Sequence, residues 1–261
     1  MLEPTVLKTL PAFLRNPKAS GTKIVSLTAY DFPTAKLLDT CGLDFLLVGD
    51  SLGMVVLGYE DTTEVTMDEM LHHTRAVARG ATQTWVVADL PSRSYDTVAL
   101  AVENSRRLVG AGADAVKMEG GQERADAVKA ILAEGIAVVG HLGMLPQRVR
   151  IEGGYRIKGR TELEAARIME DALVLDALGV SAIVLELVEH SLAMKISQRI
   201  NCPTIGIGSG PMCDGQILVL HDVVGLFPWF RPRFAQKRAD IAAEIQRAAT
   251  AFVASVKEPI L

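Results

Sequence analysis

Short apolar runs recur along the chain, and each stops abruptly at a polar residue. Phe45-Leu46-Leu47-Val48 stops at Gly49-Asp50-Ser51, Trp85–Ala88 at Asp89, and Ala182–Leu185 at Glu186. Ala115–Met118, with Lys117 inside it, stops at Glu119, and Ile136–Val139 leads into Gly140-His141. Continuous apolar runs this short predict strands buried on both faces, as in a parallel sheet. Lys23–Thr28, Thr204–Ile207 and Ile217–Leu220, the last ending at His221-Asp222, bring the predicted strands to eight.

Between the strands the spacing changes to that of helices. Thr66-Met67-Asp68-Glu69 reads as a capping box, followed by Met67, Met70, Leu71, Thr74, Val77, Ala78 and Ala81 on one face. Asp31 is placed to cap a helix with Pro33 in its first turn. Val98, Ala101, Val102, Ser105, Leu108 and Val109 form another apolar face, and Ala125, Val128, Ile131 and Leu132 a third. A second box, Thr161–Glu164, opens a helix ending at Gly179, and a further helix spans 191–200. A long terminal helix over 235–256 turns Ile241, Ile245, Ala248, Phe252 and Val256 to the core. A short helix is predicted over 5–14. Eight strands alternating with helices predict one domain over 1–261, a (β/α)8 TIM-type barrel of the α/β class. An open doubly wound sheet is the alternative.

Composition narrows the function. The 261 residues are 49% hydrophobic but only 5% aromatic, so aliphatic side chains fill the core. The net charge of −4, with both signs dispersed, points to neither nucleic acid nor an anionic membrane. Three cysteines without metal spacing, Cys41, Cys202 and Cys213, suit free thiols in a reducing compartment. With no signal-peptide pattern and no transmembrane run, the expected location is cytoplasmic.

In a parallel barrel the C-terminal strand ends converge at one mouth. Asp50, Ser51, Asp89, Glu119, His141 and Glu186 would meet there, joined by Lys117, which alternation puts on the same side as Glu119. Asp50, Asp89 and Glu119 form an oxygen donor set suited to Mg2+. Helix capping is the competing role for each carboxylate, and a core histidine that for His141. His72-His73 are expected at the surface. The basic stretch in loop 144–160 is either a solvated face or a lid over the site. Gly49–Gly53 also matches the G-x-S-x-G nucleophile elbow, but the residues after Ser51 lack a convincing helical pattern.

The chain resembles the ketopantoate hydroxymethyltransferase family. The matching stretches include Leu47–Met54, His73–Gly80, Ala88–Pro91, Gly112–Lys117 with Glu119–Gly121, Gly140–Gly143, Pro146-Gln147, Gly153–Arg156, Thr204–Gly208 and Cys213–Gln216. The resemblance implies a (β/α)8 barrel assembled as a homo-oligomer, usually a decamer. It implies Mg2+ held by Asp50, Asp89 and Glu119, and a 2-oxo acid contacted also by Ser51 and Lys117. Glu186 falls at the general base and His141 at a site histidine. The cosubstrate implied is 5,10-methylenetetrahydrofolate, and the reaction is hydroxymethylation of 3-methyl-2-oxobutanoate to 2-dehydropantoate, in pantothenate synthesis. Four loops depart from the family pattern, at Ser92-Arg93, at Met144-Leu145, at Glu189 in place of proline, and at Ser209 in place of alanine. A related metal-dependent lyase or aldolase acting on another 2-oxo acid is the alternative, with Arg93 and the basic loop receiving a second carboxylate.

Overall fold

The computed structural model describes residue 18 and residues 20–257; the helix expected over 5–14 lies outside them. Eight parallel strands close into a barrel in sequence order. They are β1 (Ile24–Thr28), β2 (Phe45–Val48), β3 (Trp85–Asp89), β4 (Ala115–Glu119), β5 (Ala137–Gly143), β6 (Ala182–Glu186), β7 (Thr204–Ile207) and β8 (Gly215–Leu218). The helices between them are α1 (Phe32–Leu38), the single turn α2 (Leu52–Val55), α3 (Met67–Gly80), α4 (Val98–Gly110), α5 (Ala125–Ala133), the short α6 (Val149–Glu152), α7 (Glu162–Leu178) and α8 (His190–Arg199). The chain divides into two compact units, one ending at Ile217 and one starting at Leu218.

Strand alternation splits the apolar residues into two cores. Leu46, Val48, Val86, Ala88, Val116, Met118, Ile183 and Leu185 face outward into the larger core, which the helices cover. Ile24, Phe45, Leu47, Val87, Ala115, Val139, Val184, Ile205 and Ile217 fill the barrel interior. Continuing those inward rows by two residues gives Asp89, Lys117, His141 and Glu186, and one further step on β4 gives Glu119. The alternation that packs the floor therefore also aims the polar residues above it.

Local signals are realised where they are covalently close. Asp31 accepts from Thr34 N at 2.8 Å and starts α1. Both halves of the 66–69 capping box form. The 161–164 box is only half made. Thr161 caps Glu164 N, but the Glu164 carboxylate accepts from Gly159 N and pairs with Arg156. In α4, Val98 and Val109 are exposed, and Asn104 joins the buried face instead, donating to Ser94 O.

The last strand is displaced from its expected place. Pairing runs Ile205 to Gly215 and Gly206 to Gln216, so β8 begins five residues after Gly210 with no helix between β7 and β8. A Cβ on Gly215 would lie 2.5 Å from Ile24 O, so this seam requires glycine. Ile24 N donates to Asp214 O across it, and Lys23 Nζ reaches Cys213 O. Consequently His221-Asp222 do not end a strand; they lie in α9 (Leu220–Val224) of the second unit. The terminal helix, α10 (Ile241–Lys257), starts six residues later than expected, because the Asp240 carboxylate accepts from Ala243 N and caps it there. Its apolar stripe does not face a core: Ile245, Phe252 and Val256 are all exposed.

Candidate active site

The strand-end residues converge at the C-terminal mouth. Register sets Asp89 beside Lys117 and Glu119 beside His141. Lys117 Nζ lies 2.7 Å from Asp89 Oδ1, both almost wholly buried. Asp89 Oδ2 accepts from Asp50 N at 3.0 Å, which holds the turn after β2 against β3. Gly49 makes room for that turn, since a Cβ there would come within 2.9 Å of Ser51 Oγ. His141, placed inside β5 and not after it, bridges the two sides of the mouth. Its Nδ1 is 3.4 Å from Lys117 Nζ and 3.5 Å from Glu119 Oε1, and its Nε2 is 3.2 Å from Glu186 Oε2. A lysine ammonium only donates, so Nδ1 accepts and Nε2 carries the proton toward Glu186. That last contact is close but lacks full hydrogen-bond alignment.

Charge in this volume is unbalanced. Burial and the Asp89 charge push the Asp50 carboxyl up to about 7, although Lys117 opposes them. Burial and then Asp50 push Glu119 well above the usual carboxylate range. Burial alone accounts for most of the rise of Glu186 to about 8. Burial lowers Lys117, but Asp89, Asp50 and Glu119 outweigh it and raise its affinity for the proton. Burial, then the Lys117 charge, drives His141 well below its ordinary value, so the imidazole is neutral. Four carboxylates share one ammonium, and Glu119 Oε1 is buried without a hydrogen-bond partner. A hard divalent cation suits such a deficit. Among the described residues no three acidic, histidine or cysteine side chains enclose an ion as they stand. The fit of Asp50, Asp89 and Glu119 is one of charge and donor chemistry.

Ser51 Oγ pairs with Tyr30 OH at 2.8 Å. The elbow reading gains a helical turn, α2, directly after Ser51, but the His141 nitrogens face Lys117 and Glu186 and not Ser51, whose hydroxyl pairs with Tyr30. Tyr30 is itself held by His73, whose Nδ1 lies 2.6 Å from Tyr30 O. His73 is thus half-buried and structural, whereas His72 is exposed as expected.

Gln147 is the site residue that sequence reasoning did not single out. Its Nε2 donates to Asp50 Oδ2 at 2.7 Å and to Leu90 O at 2.9 Å. Its backbone N–H donates to Glu119 Oε2 at 3.2 Å, and its Oε1 accepts from Tyr95 OH. The available signal was Pro146, which starts a 3-10 turn and commits the next residue to an inward position. The rest of loop 144–160 is tied down by acids. Arg150 meets Asp61 and Glu64, Arg156 meets Glu164, and Lys158 is buried against Glu152. Arg93 has φ +66 and donates to Thr63 O at 3.1 Å. Glu189 caps α8, accepting from Ser191 N and Leu192 N.

Comparisons with known proteins give the family by sequence and, separately, the fold by structure. The family model described as ketopantoate hydroxymethyltransferase matches residues 8–260. A 3-methyl-2-oxobutanoate hydroxymethyltransferase of Acetivibrio thermocellus is 52% identical over 254 residues, covering 97% of this chain and 89% of the relative. The enzyme of that name from Thermus thermophilus is 47% identical over 243 residues, 93% of each chain. Among solved structures, phosphonopyruvate hydrolase in complex with oxalate and Mg++ superposes with TM-score 0.66 at 15% identity, over 97% of this chain and 93% of that one. The 2,3-dimethylmalate lyase, a PEP mutase/isocitrate lyase superfamily member, gives 0.63 at 17%, over 97% and 90%. At such identities the structural likeness shows the fold.

Proposed function

The chain belongs to the ketopantoate hydroxymethyltransferase family, and on that premise we propose that the site deprotonates 3-methyl-2-oxobutanoate at C3 and adds the one-carbon unit of 5,10-methylenetetrahydrofolate, with water supplying the hydroxyl oxygen and tetrahydrofolate leaving, to give 2-dehydropantoate. The observation that carries this reading is the buried carboxylate cluster around Lys117, joined through His141 to Glu186.

Asp50, Asp89 and Glu119 would hold Mg2+, the cation in one structural relative's description. Bound there, it would supply positive charge for the keto oxygen, which becomes anionic when C3 loses its proton. The remaining work belongs to side chains. Lys117 offsets the substrate carboxylate, and Ser51, oriented by Tyr30, donates to it. Glu186 takes the C3 proton; its carboxyl, raised to about 8, is matched to a weak carbon acid near neutral pH. The Nε2–H of neutral His141 faces Glu186 and steers that carboxylate without adding a second charge. Gln147 fixes the rotation of Asp50.

The test is hydrogen–deuterium exchange at C3 of 3-methyl-2-oxobutanoate in D2O. Exchange is expected with Mg2+, and is expected to vanish in Glu186→Gln. Absence of exchange in the wild type with both Mg2+ and the folate present would sink the reading. Arg93, on which the lyase alternative relies, is exposed and donates to Thr63 O. The exposed apolar stripe on α10 supports the homo-oligomer reading, which sedimentation velocity tests.

A further inference from the structure

Glu186 leaves its strand through a strained turn. The next residue, Leu187, has φ +47, one of only two non-glycine residues in the left-handed region among those described. A Cβ there crowds the following carbonyl, which disfavours this conformation for any residue but glycine. Such strain persists only where the surroundings over-determine it. They do so here. Glu186 O accepts from Met144 N at 2.8 Å, Leu187 N donates to Ile207 O at 2.9 Å, and Leu187 O accepts from Lys158 N at 2.7 Å. Gly143 is pressed so close that a Cβ would lie 2.3 Å from Glu186 O.

One side chain completes this clamp. Ser209, 1% exposed in the loop after β7, accepts from Val188 N at 2.9 Å and donates to Leu185 O at 2.6 Å. A second carbonyl, Ile207 O, is 3.5 Å away, so the single hydroxyl proton goes to Leu185. Ser209 therefore touches the residues on either side of the Glu186–Leu187 pair and neither of those two. A hydroxyl donates and accepts strongly at once, which a thiol of similar size does only weakly.

We propose that Ser209 is a positioning residue for Glu186. By bridging Leu185 and Val188 it holds Leu187 left-handed, and that conformation directs the Glu186 carboxylate at His141 Nε2. This rests on the reading of Glu186 as the base. Without the bridge Leu187 relaxes toward the extended region and the carboxylate swings away from the substrate carbon. A misplaced reacting group costs about tenfold or more in rate. Substrate affinity is set by Lys117, Ser51 and the carboxylate cluster, none of which touches Ser209, so KM stays put.

The experiment compares C3 exchange kinetics, at saturating Mg2+, for wild type, Ser209→Ala, Ser209→Cys, Glu186→Gln and the double variant Ser209→Ala/Leu187→Gly. Ser209→Ala should lose about tenfold in exchange kcat with KM for the oxo acid within about twofold. Ser209→Cys, whose thiol is a poorer donor and acceptor, should fall between, and serves if the alanine variant does not fold. Glycine adopts φ +47 without penalty, so adding Leu187→Gly should recover most of the lost rate. A purely structural role would not give that rescue. If Glu186→Gln abolishes exchange while both Ser209 variants stay within about twofold of wild type, the positioning role is overturned and the base assignment stands. Failure of Leu187→Gly to rescue also overturns it. Exchange retained in Glu186→Gln overturns both.

Discussion

The two ends of the barrel use the same residue type in opposite ways. At the N-terminal ends of the strands, aspartates are satisfied by backbone. Asp44 accepts from Val25 N, Asp114 from Val86 N and Asp214 from Thr204 N, so the residue before each of β2, β4 and β8 ties down the preceding strand. Asp39 goes furthest. It is 5% exposed and accepts from the backbones of Thr82, Gln83 and Thr84 and from the Thr82 hydroxyl. Burial alone would raise its carboxyl, but those donors outweigh it and hold it far below the usual range. At the C-terminal ends, Asp50 and Glu119 are as deeply buried but short of donors, and their carboxyls are pushed up. Burial does not decide what a carboxylate is for; the supply of donors does. Where donors match oxygens the carboxyl is held low, and where they fall short it is pushed up.

That contrast can be broken experimentally, most severely at Asp50. Asp50→Ala should reduce C3 exchange by about 10³-fold, while leaving the unfolding free energy within about 1 kcal/mol or raising it, because a buried like-charge contact is removed. Denaturant melts beside the kinetics check both halves. Asp39→Ala should do the reverse, costing about 3 kcal/mol of stability through its stranded N–H donors, with exchange kcat within about twofold. A large activity loss in this variant at full stability would erase the distinction between the two ends.

A pH scan sharpens the same point with a smaller effect. Asp50 and Glu186 have folded-state values near 7 and 8, above the unfolded carboxylate value of about 4. The folded metal-free protein therefore holds more protons than the unfolded chain across that window, and its stability falls as pH rises from about 4 to about 8. Asp39, shifted the other way, contributes stability that is fully present above pH 4 and is lost only on strong acidification. Melting curves from pH 5 to 8 should decline without Mg2+ and flatten with it. The smallest expected change is at Ser51. Ser51→Ala should raise KM for the oxo acid about tenfold with exchange kcat nearly intact, whereas complete inactivation with Mg2+ binding preserved would restore the nucleophile reading.

What the sequence made legible follows the range of the forces involved. Strand ends, the 66–69 capping box and the stop at Gly179 depend on neighbours within a few residues, and their pattern is written locally. The polar ends of β2 to β6 were legible because parallel closure brings all of them to one mouth. Gln147 was not, since its partners Asp50 and Leu90 lie 97 and 57 residues away. The start of β8 was missed because Gly215-Gln216 carry no apolar signal; closeness to Ile24 selects the glycine. The α10 stripe has a helical period but no cover in its own unit, so periodicity alone misassigned it as core.

The seam at Gly215 has a consequence for how the protein comes into being. Lys23 and Cys213 meet there across 190 residues, so the ring cannot close until nearly the whole first unit has been synthesised. Until then β1 and β7 present open edges, and the chain must pay the closure entropy of a very long loop before the final pairing returns anything. A Gly215→Ala substitution should therefore show itself first in refolding, as slower recovery and more aggregation from an open, edge-exposed intermediate.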